Sequence, residues 1–386
     1  MAAATMEVCH SVTNCMPLHY VLKWQPFRID ALGIVTIIGS KQVNIIVGRL
    51  VTSRYTAYLP LLGAFIIAGD QFTDAMSGFE LYNLKERIKT TDLAGWFQRW
   101  CVSQNFNRAN NTVRWSVQDK SDTILRSRLD TLLAASIGLV ANGALVAFAV
   151  LQGDWWGLAN AISMVVSVLV RVYLVKQNRD ALDTQADKYA EADKTGQDRA
   201  RFLILLNDGK MVTMNATSGL VKACFIDKPV PPNRPLYNIA RGIGWVGFTA
   251  HVITVGMSGL ATQLVTVFLI LVPTVLTIFK VGCDESLIGS RLKACISTTG
   301  QLGERRRDTY IKLGLSDTEE RSMVEWSLIP HKDNKKWWDD YNFKKKGQLP
   351  NRSPNAQLAD PLLPNGHTTP EKTPTTITTN MQTLSG

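Results

Sequence analysis

The sequence predicts an all-α polytopic membrane protein, with at least four transmembrane helices in two hairpins and a small β-containing insertion on the cytoplasmic side. Three observations predict it. Residues 131–170 carry one formal charge, Asp154, and residues 242–279 carry none. Crossing a hydrocarbon core of roughly 30 Å takes about 20 helical residues, so each block is long enough to cross and return. The polar stretch between them, 176–241, holds eleven Lys and Arg while the hairpin tips hold none, the asymmetry that keeps basic loops cytoplasmic.

Average composition hides this segregation. A chain of 386 residues with 46% hydrophobic and 19% charged residues would suit a soluble protein of two or three domains. A soluble helical hairpin, however, rarely runs so far without Lys, Glu or Arg. The net charge of +10 is read as basic cytoplasmic loops rather than nucleic-acid binding. Cys9, Cys15, Cys101, Cys224, Cys283 and Cys295 are scattered, with neither disulfide-framework nor zinc-ligand spacing. The first twenty residues lack the basic start and apolar core of a cleaved signal, and no lipidation signature is present. Membrane targeting therefore falls to the spans themselves.

Taken in order, residues 1–29 are mixed. Residues 30–69 contain apolar runs interrupted by Lys41, Arg49 and Arg54. They read as interfacial helices, a short two-span hairpin, or one span with an interfacial helix. Residues 70–130 form a cytoplasmic helical and loop segment containing Trp96, Phe97 and Trp100. The first hairpin, 131–175, spans 131–151 and 155–175, with Trp155 and Trp156 suited to the headgroup boundary. Ala134, Gly138, Gly143 and Ala144 would allow close helix approach, and Arg171 is expected to snorkel toward the interface.

The insertion 176–241 begins with a charged helix and continues into a β-hairpin turning at Asn207-Asp208-Gly209, with Leu220–Ile226 a candidate third strand. The second hairpin, 242–279, turns at Met257, Ser258 and Gly259. The cytoplasmic segment 280–346 starts a short helix at a Ser316/Glu319 capping box that stops before Pro330. Its end, KKWWDDYNFKKK at 335–346, is basic and aromatic, suited to anionic lipid headgroups. Residues 347–386 read as a disordered tail rich in Thr and Pro. Asn110, Asn215 and Asn351 begin sequons that this orientation leaves unglycosylated.

Gly242, Gly244 and Gly247 match GxGxxG, but they open a membrane span after Arg241, so helix packing is the reading rather than dinucleotide binding. His251 is an ionisable group inside an apolar block and so a catalytic candidate. Asn142 and Asn160 are polar residues within the first hairpin. Asp180, Asp183 and Asp187 place three carboxylates on neighbouring helical turns, candidate ligands for Mg²⁺. This spacing resembles the first acidic motif of intramembrane prenyltransferases. The chain departs from that family in its number of spans and in having no second acidic motif, Asp284 and Glu285 being a poor substitute. The bland alternative pairs the acids with Arg179, Lys188 and Lys194. No P-loop, HExxH, GxSxG or kinase signature is present.

FLILLNDGKMVTM, RGIGWVGFTAHVITVGMSGLATQLVTVFLILV and GWFQRW together resemble an uncharacterised family of multi-pass membrane proteins of filamentous fungi, over roughly residues 30–330. The resemblance implies a fungal source and several spans, and it carries no activity or catalytic residue. Three functions are compatible with this sequence. One is a membrane scaffold or accessory protein with cytoplasmic partner-binding surfaces. Another is an embedded enzyme acting on a lipophilic terpenoid or polyketide-type intermediate of secondary metabolism. The third is an oligomeric transporter or channel. The expected location is integral and multi-pass, in the plasma membrane or endoplasmic reticulum.

Overall fold

The polar sequence is organised by strands. The computed structural model describes residues 17–27, 33, 39–53, 55–61, 70–104, 106, 111–118, 124–192, 199–283, 286–298 and 306–348. Within them, α1 is Ser40–Thr52, β1 Glu80–Asn83, β2 Ile88–Thr90, α2 Gly95–Gln104, β3 Asn111–Val117, α3 Ile124–Gln152 and α4 Trp155–Ala192. Then come β4 Arg199–Leu205, β5 Met211–Thr217, α5 Arg234–Met257, α6 Leu260–Ile278, β6 Leu287–Ile288 and β7 Leu292–Thr298. The helices α7 Arg306–Leu313, α8 Asp317–Glu325 and α9 Lys335–Gln348 follow.

The seven strands form one mixed sheet of order β2-β1-β4-β5-β3-β7-β6, antiparallel throughout except for β3 beside β5. This overturns the all-α expectation. Segments 70–130, 176–241 and 280–346, expected to be separate cytoplasmic pieces, each contribute strands to this sheet. The two helical hairpins, α3–α4 and α5–α6, are excursions between its strands. Among the described residues, three helices are long and apolar enough to cross a membrane: α3 over Thr131–Gln152, α4 over Trp155–Glu191, and α6 over Leu260–Ile278. The fourth helix, α5, does not reach that standard.

Strand periodicity explains the two faces of the sheet. Ala200, Phe202 and Ile204 of β4, Val212, Met214 and Ala216 of β5, and Val113 and Trp115 of β3 enter one core. There they meet Trp96, Phe97 and Trp100 of α2 and Leu182 and Ala186 from the far end of α4. Tyr82, next to Leu81 in β1, faces the other way and contacts the Trp326 ring at 4.9 Å. On that face Arg201 donates to the Leu313 carbonyl. The β4–β5 turn needs Gly209, whose φ is +77°. Leu220–Ile226 is helical rather than a third strand, with Val221–Ile226 a π-helical turn. Its Phe225 must reach Trp96, Phe97 and Trp115, at 4.7 to 5.6 Å between ring centroids.

The charged helix expected to start the insertion is instead the continuation of α4, a single helix of 38 residues. At its middle, Leu174 and Val175 pack with Ile46, Val47 and Leu50 of α1 and with Tyr237 of α5. The helix α1 has 13 residues, about 20 Å long, and residues 46–52 are buried, so it is a packed helix rather than a span. Other parts of 30–69, namely 30–32, 34–38, 54 and 62–69, lie outside the described residues, as do the N-terminal 1–16 and the expected disordered tail from 349 on. The second hairpin begins at Arg234, earlier than 242, and turns between Met257 and Leu260 as expected. The capping box at Ser316 and Glu319 forms, starting α8. The described residues from 333 to 348 belong to a separate unit. Within it Trp337 stacks on Tyr341, with centroids 5.1 Å apart.

Candidate functional site

Two helix N-termini converge on one carboxylate. The hairpin turn ends at Asp154, immediately before α4, and Gly259 is the N-cap of α6. Asp154 Oδ1 accepts from the Gly157 N–H at 2.8 Å. Its Oδ2 accepts from the Gly259 N–H at 2.8 Å and the Thr262 hydroxyl at 2.9 Å. Thr262 also lies 3.0 Å from Gln152 Oε1, and with one hydroxyl proton it serves one of these acceptors at a time. A carboxylate here satisfies otherwise orphaned first-turn N–H groups and faces the positive ends of both helix dipoles. Gln263 closes the neighbouring end of α5, donating to the Val255 and Ser258 carbonyls at 2.9 and 3.0 Å.

One to two turns deeper, Asn160 donates to the Thr266 hydroxyl at 2.9 Å. His251 on α5 sits against the backbone of Asn160, and its Nδ1 is buried without a partner. Thus His251 belongs to a polar seam running through α4, α5 and α6. Asn142, the other polar residue singled out, turns inward on its own helix and donates to the Gly138 carbonyl at 2.7 Å. Gly247 of the GxGxxG motif lies 3.4 Å, measured from its would-be Cβ, from Ser167 Oγ and Val166 of α4. That is close helix packing.

The three acids are not grouped. Asp183 accepts from the Ser290 N–H at 3.0 Å, the Ser290 hydroxyl at 2.8 Å and the Arg291 N–H at 3.1 Å. Asp187 pairs with Arg291. The carboxylates thereby fasten α4 to the β6–β7 turn. Gly289 is required there: its φ is +61°, and a Cβ would stand 2.5 Å from Asp183 Oδ1. Asp180 makes no such contact. Among the described residues, no group of three His, Cys, Asp or Glu side chains is placed to hold a metal ion.

His251 and the acids are also far apart. Asn160, beside His251, and Asp183 lie on the same helix 23 residues apart, roughly 35 Å at 1.5 Å per residue. They cannot act on one small substrate.

Between these regions, arginines work as structural donors. Arg171, 4% exposed, does not snorkel; it donates to the carbonyls of Ala57 and Leu59. Arg179 donates to Leu50 and Ser53, and Arg49 to Ser103. Their long side chains satisfy carbonyls of the 57–59 segment and of the C-terminal ends of α1 and α2, where no further helical turn supplies a donor. The seam around Asp154 went unanticipated, although a lone carboxylate in an otherwise uncharged block was its signal. No family model matches the chain, and no curated protein or solved structure matches it.

Proposed function

We propose that this chain is a multi-pass membrane protein whose cytoplasm-facing α/β domain is a rigidly anchored scaffold for partner proteins. The observation that carries the reading is the connectivity of the sheet. Its strands come from before, between and after the two hairpins, so each hairpin leaves and returns on one side. A crossing by α6 therefore needs a return through α5. That less apolar helix buries Gly244 and Gly247 while turning Ile243, Val246 and Ile253 outward. The basic segments on the sheet side support its cytoplasmic placement, next to anionic headgroups.

The scaffold reading is further supported by what occupies the domain interior. Trp96, Phe97, Trp100, Trp115 and Phe225 fill it with rings in contact. Asp183 and Asp187 are engaged in holding the β6–β7 turn, and His251 is remote from both. Of the candidate residues named from the sequence, an enzyme acting on a lipophilic substrate would rely on His251 and the seam around it. Complementation of a deletion strain with His251→Ala tests this. The scaffold reading expects full complementation with an unchanged metabolite profile. Accumulation of a lipophilic intermediate would replace it with the enzyme reading. Asp183→Ala does not separate the two, because losing that anchor disturbs the domain under either.

A further inference from the structure

Where the sheet meets the end of the last apolar helix there is a cavity of about 850 Å³, within the size range of small-molecule sites. Its wall combines apolar and basic side chains. Ile278, the last residue of α6, Phe279 just after it and Ile45 of α1 are apolar, and Phe279 is 74% exposed. Lys41 of α1, Lys210 of the β4–β5 turn and Lys280 after α6 line the same cavity. Among the described lining residues one is an acid, Asp208, and it is ion-paired to Lys210 at 2.8 Å. Lys280 stands at the helix C-terminus with φ +70°, its N–H bonded to the Thr277 carbonyl at 3.1 Å. Glycine fits that conformation without strain, so a lysine there is a local cost to the fold.

We propose that this cavity seats the headgroup of one anionic phospholipid. The lipid phosphate lies among Lys41, Lys210 and Lys280, and the glycerol and first acyl carbons run along Ile278, Phe279 and Ile45. The inference rests on the bilayer placement of α6, which brings its end to headgroup depth. An apolar wall beside three lysines matches an amphiphile; a free phosphate would leave that wall unused. Lysines near an anionic surface contribute roughly fivefold each to affinity.

Native mass spectrometry of the full chain in a neutral detergent tests this, using dioctanoyl phosphatidic acid, dioctanoyl phosphatidylcholine and glycerol 3-phosphate as probes. The site predicts phosphatidic acid bound at least tenfold more tightly than either other probe. The combined Lys41→Gln, Lys210→Gln and Lys280→Gln variant should lose at least tenfold. A control variant carrying Lys85→Gln, Lys188→Gln and Lys222→Gln should change by less than twofold. Equal loss in both variants, or phosphatidylcholine bound as tightly, would overturn the site. Glycerol 3-phosphate bound as tightly would overturn the lipid assignment. Should the triple variant not fold, Lys280→Gly serves in its place, with binding weakened severalfold at an unreduced melting temperature; unchanged binding contradicts the proposal. Extraction with alkaline carbonate separates the two failures. Release of the protein from membranes removes the placement of α6, whereas retention with unaltered lipid binding in the variants removes the site alone.

Discussion

Asp154 is the residue on which the hairpin ends depend. Its carboxylate accepts from two backbone N–H groups and one hydroxyl, and it is 6% exposed. Removing it strands those donors away from water. Asp154→Ala should lower unfolding free energy by about 3 kcal/mol, and Asp154→Asn by less because one acceptor oxygen remains. Unfolding of both variants in mixed detergent micelles measures this. Thiol chemistry offers a second check at the same scale. Cys224 and Cys101 are buried and Cys295 is exposed. Burial pushes the Cys224 thiol up to about 12. Iodoacetamide at neutral pH should therefore label Cys295 in the folded protein and reach Cys101 and Cys224 only after denaturation, as peptide mass spectrometry would report. Glu80 supplies a pH dependence. Lys89, then Tyr82, donate to its carboxylate and hold it below the usual glutamate range. Its contribution is complete above the unfolded value near 4.5 and is lost as pH falls through the lower folded value. The difference in unfolding midpoint between wild type and Glu80→Gln should be present at neutral pH and shrink below about pH 4.

Among elements, α3 provides a matched pair of glycines. A Cβ at Gly138 would come within 2.7 Å of the Tyr58 carbonyl oxygen, whereas at Gly143 nothing lies within 4 Å. Gly138→Ala should cost about 1–3 kcal/mol, and Gly143→Ala should be neutral or stabilising by up to about 1 kcal/mol. Thermal unfolding of the two variants decides it. The same contrast marks how far the sequence could be read. Small residues on α3 signalled close packing, yet only the partner reveals which of them touches something, and Tyr58 arrives from a segment with no periodicity of its own. Apolar blocks announced the bundle because each is long and continuous. The β4–β5 hairpin was legible at its Asn-Asp-Gly turn, but the rest of the sheet was hidden because its strands are two to seven residues long and β3 finds its partners in β5 and β7, beyond intervening hairpins. Phe225 shows propensity losing to tertiary demand: an apolar, strand-like run coils to deliver one ring into an aromatic cluster. The spacing of Asp180, Asp183 and Asp187 was legible, but metal ligation and anchoring share that spacing, and the deciding partners, Ser290 and Arg291, lie more than a hundred residues away.

At the scale of the whole molecule, one continuous helix joins the helical hairpins to the sheet domain. The start of α4 packs through Ala161 and Met164 with α3 and α6, and its end supplies Leu182 and Ala186 to the sheet core. The sheet closes only if all three of its sequence segments share a side, which puts the turns at 153–154 and 258–259 on the opposite side of any membrane the hairpins cross. The decisive measurement is sidedness of labelling in sealed vesicles with a membrane-impermeant maleimide, read by peptide mass spectrometry. Cysteine introduced by Trp156→Cys or Met257→Cys, both positions exposed, should label from one face only, and native Cys295 from the other face only. Labelling of the tips and of Cys295 from the same face would contradict the account.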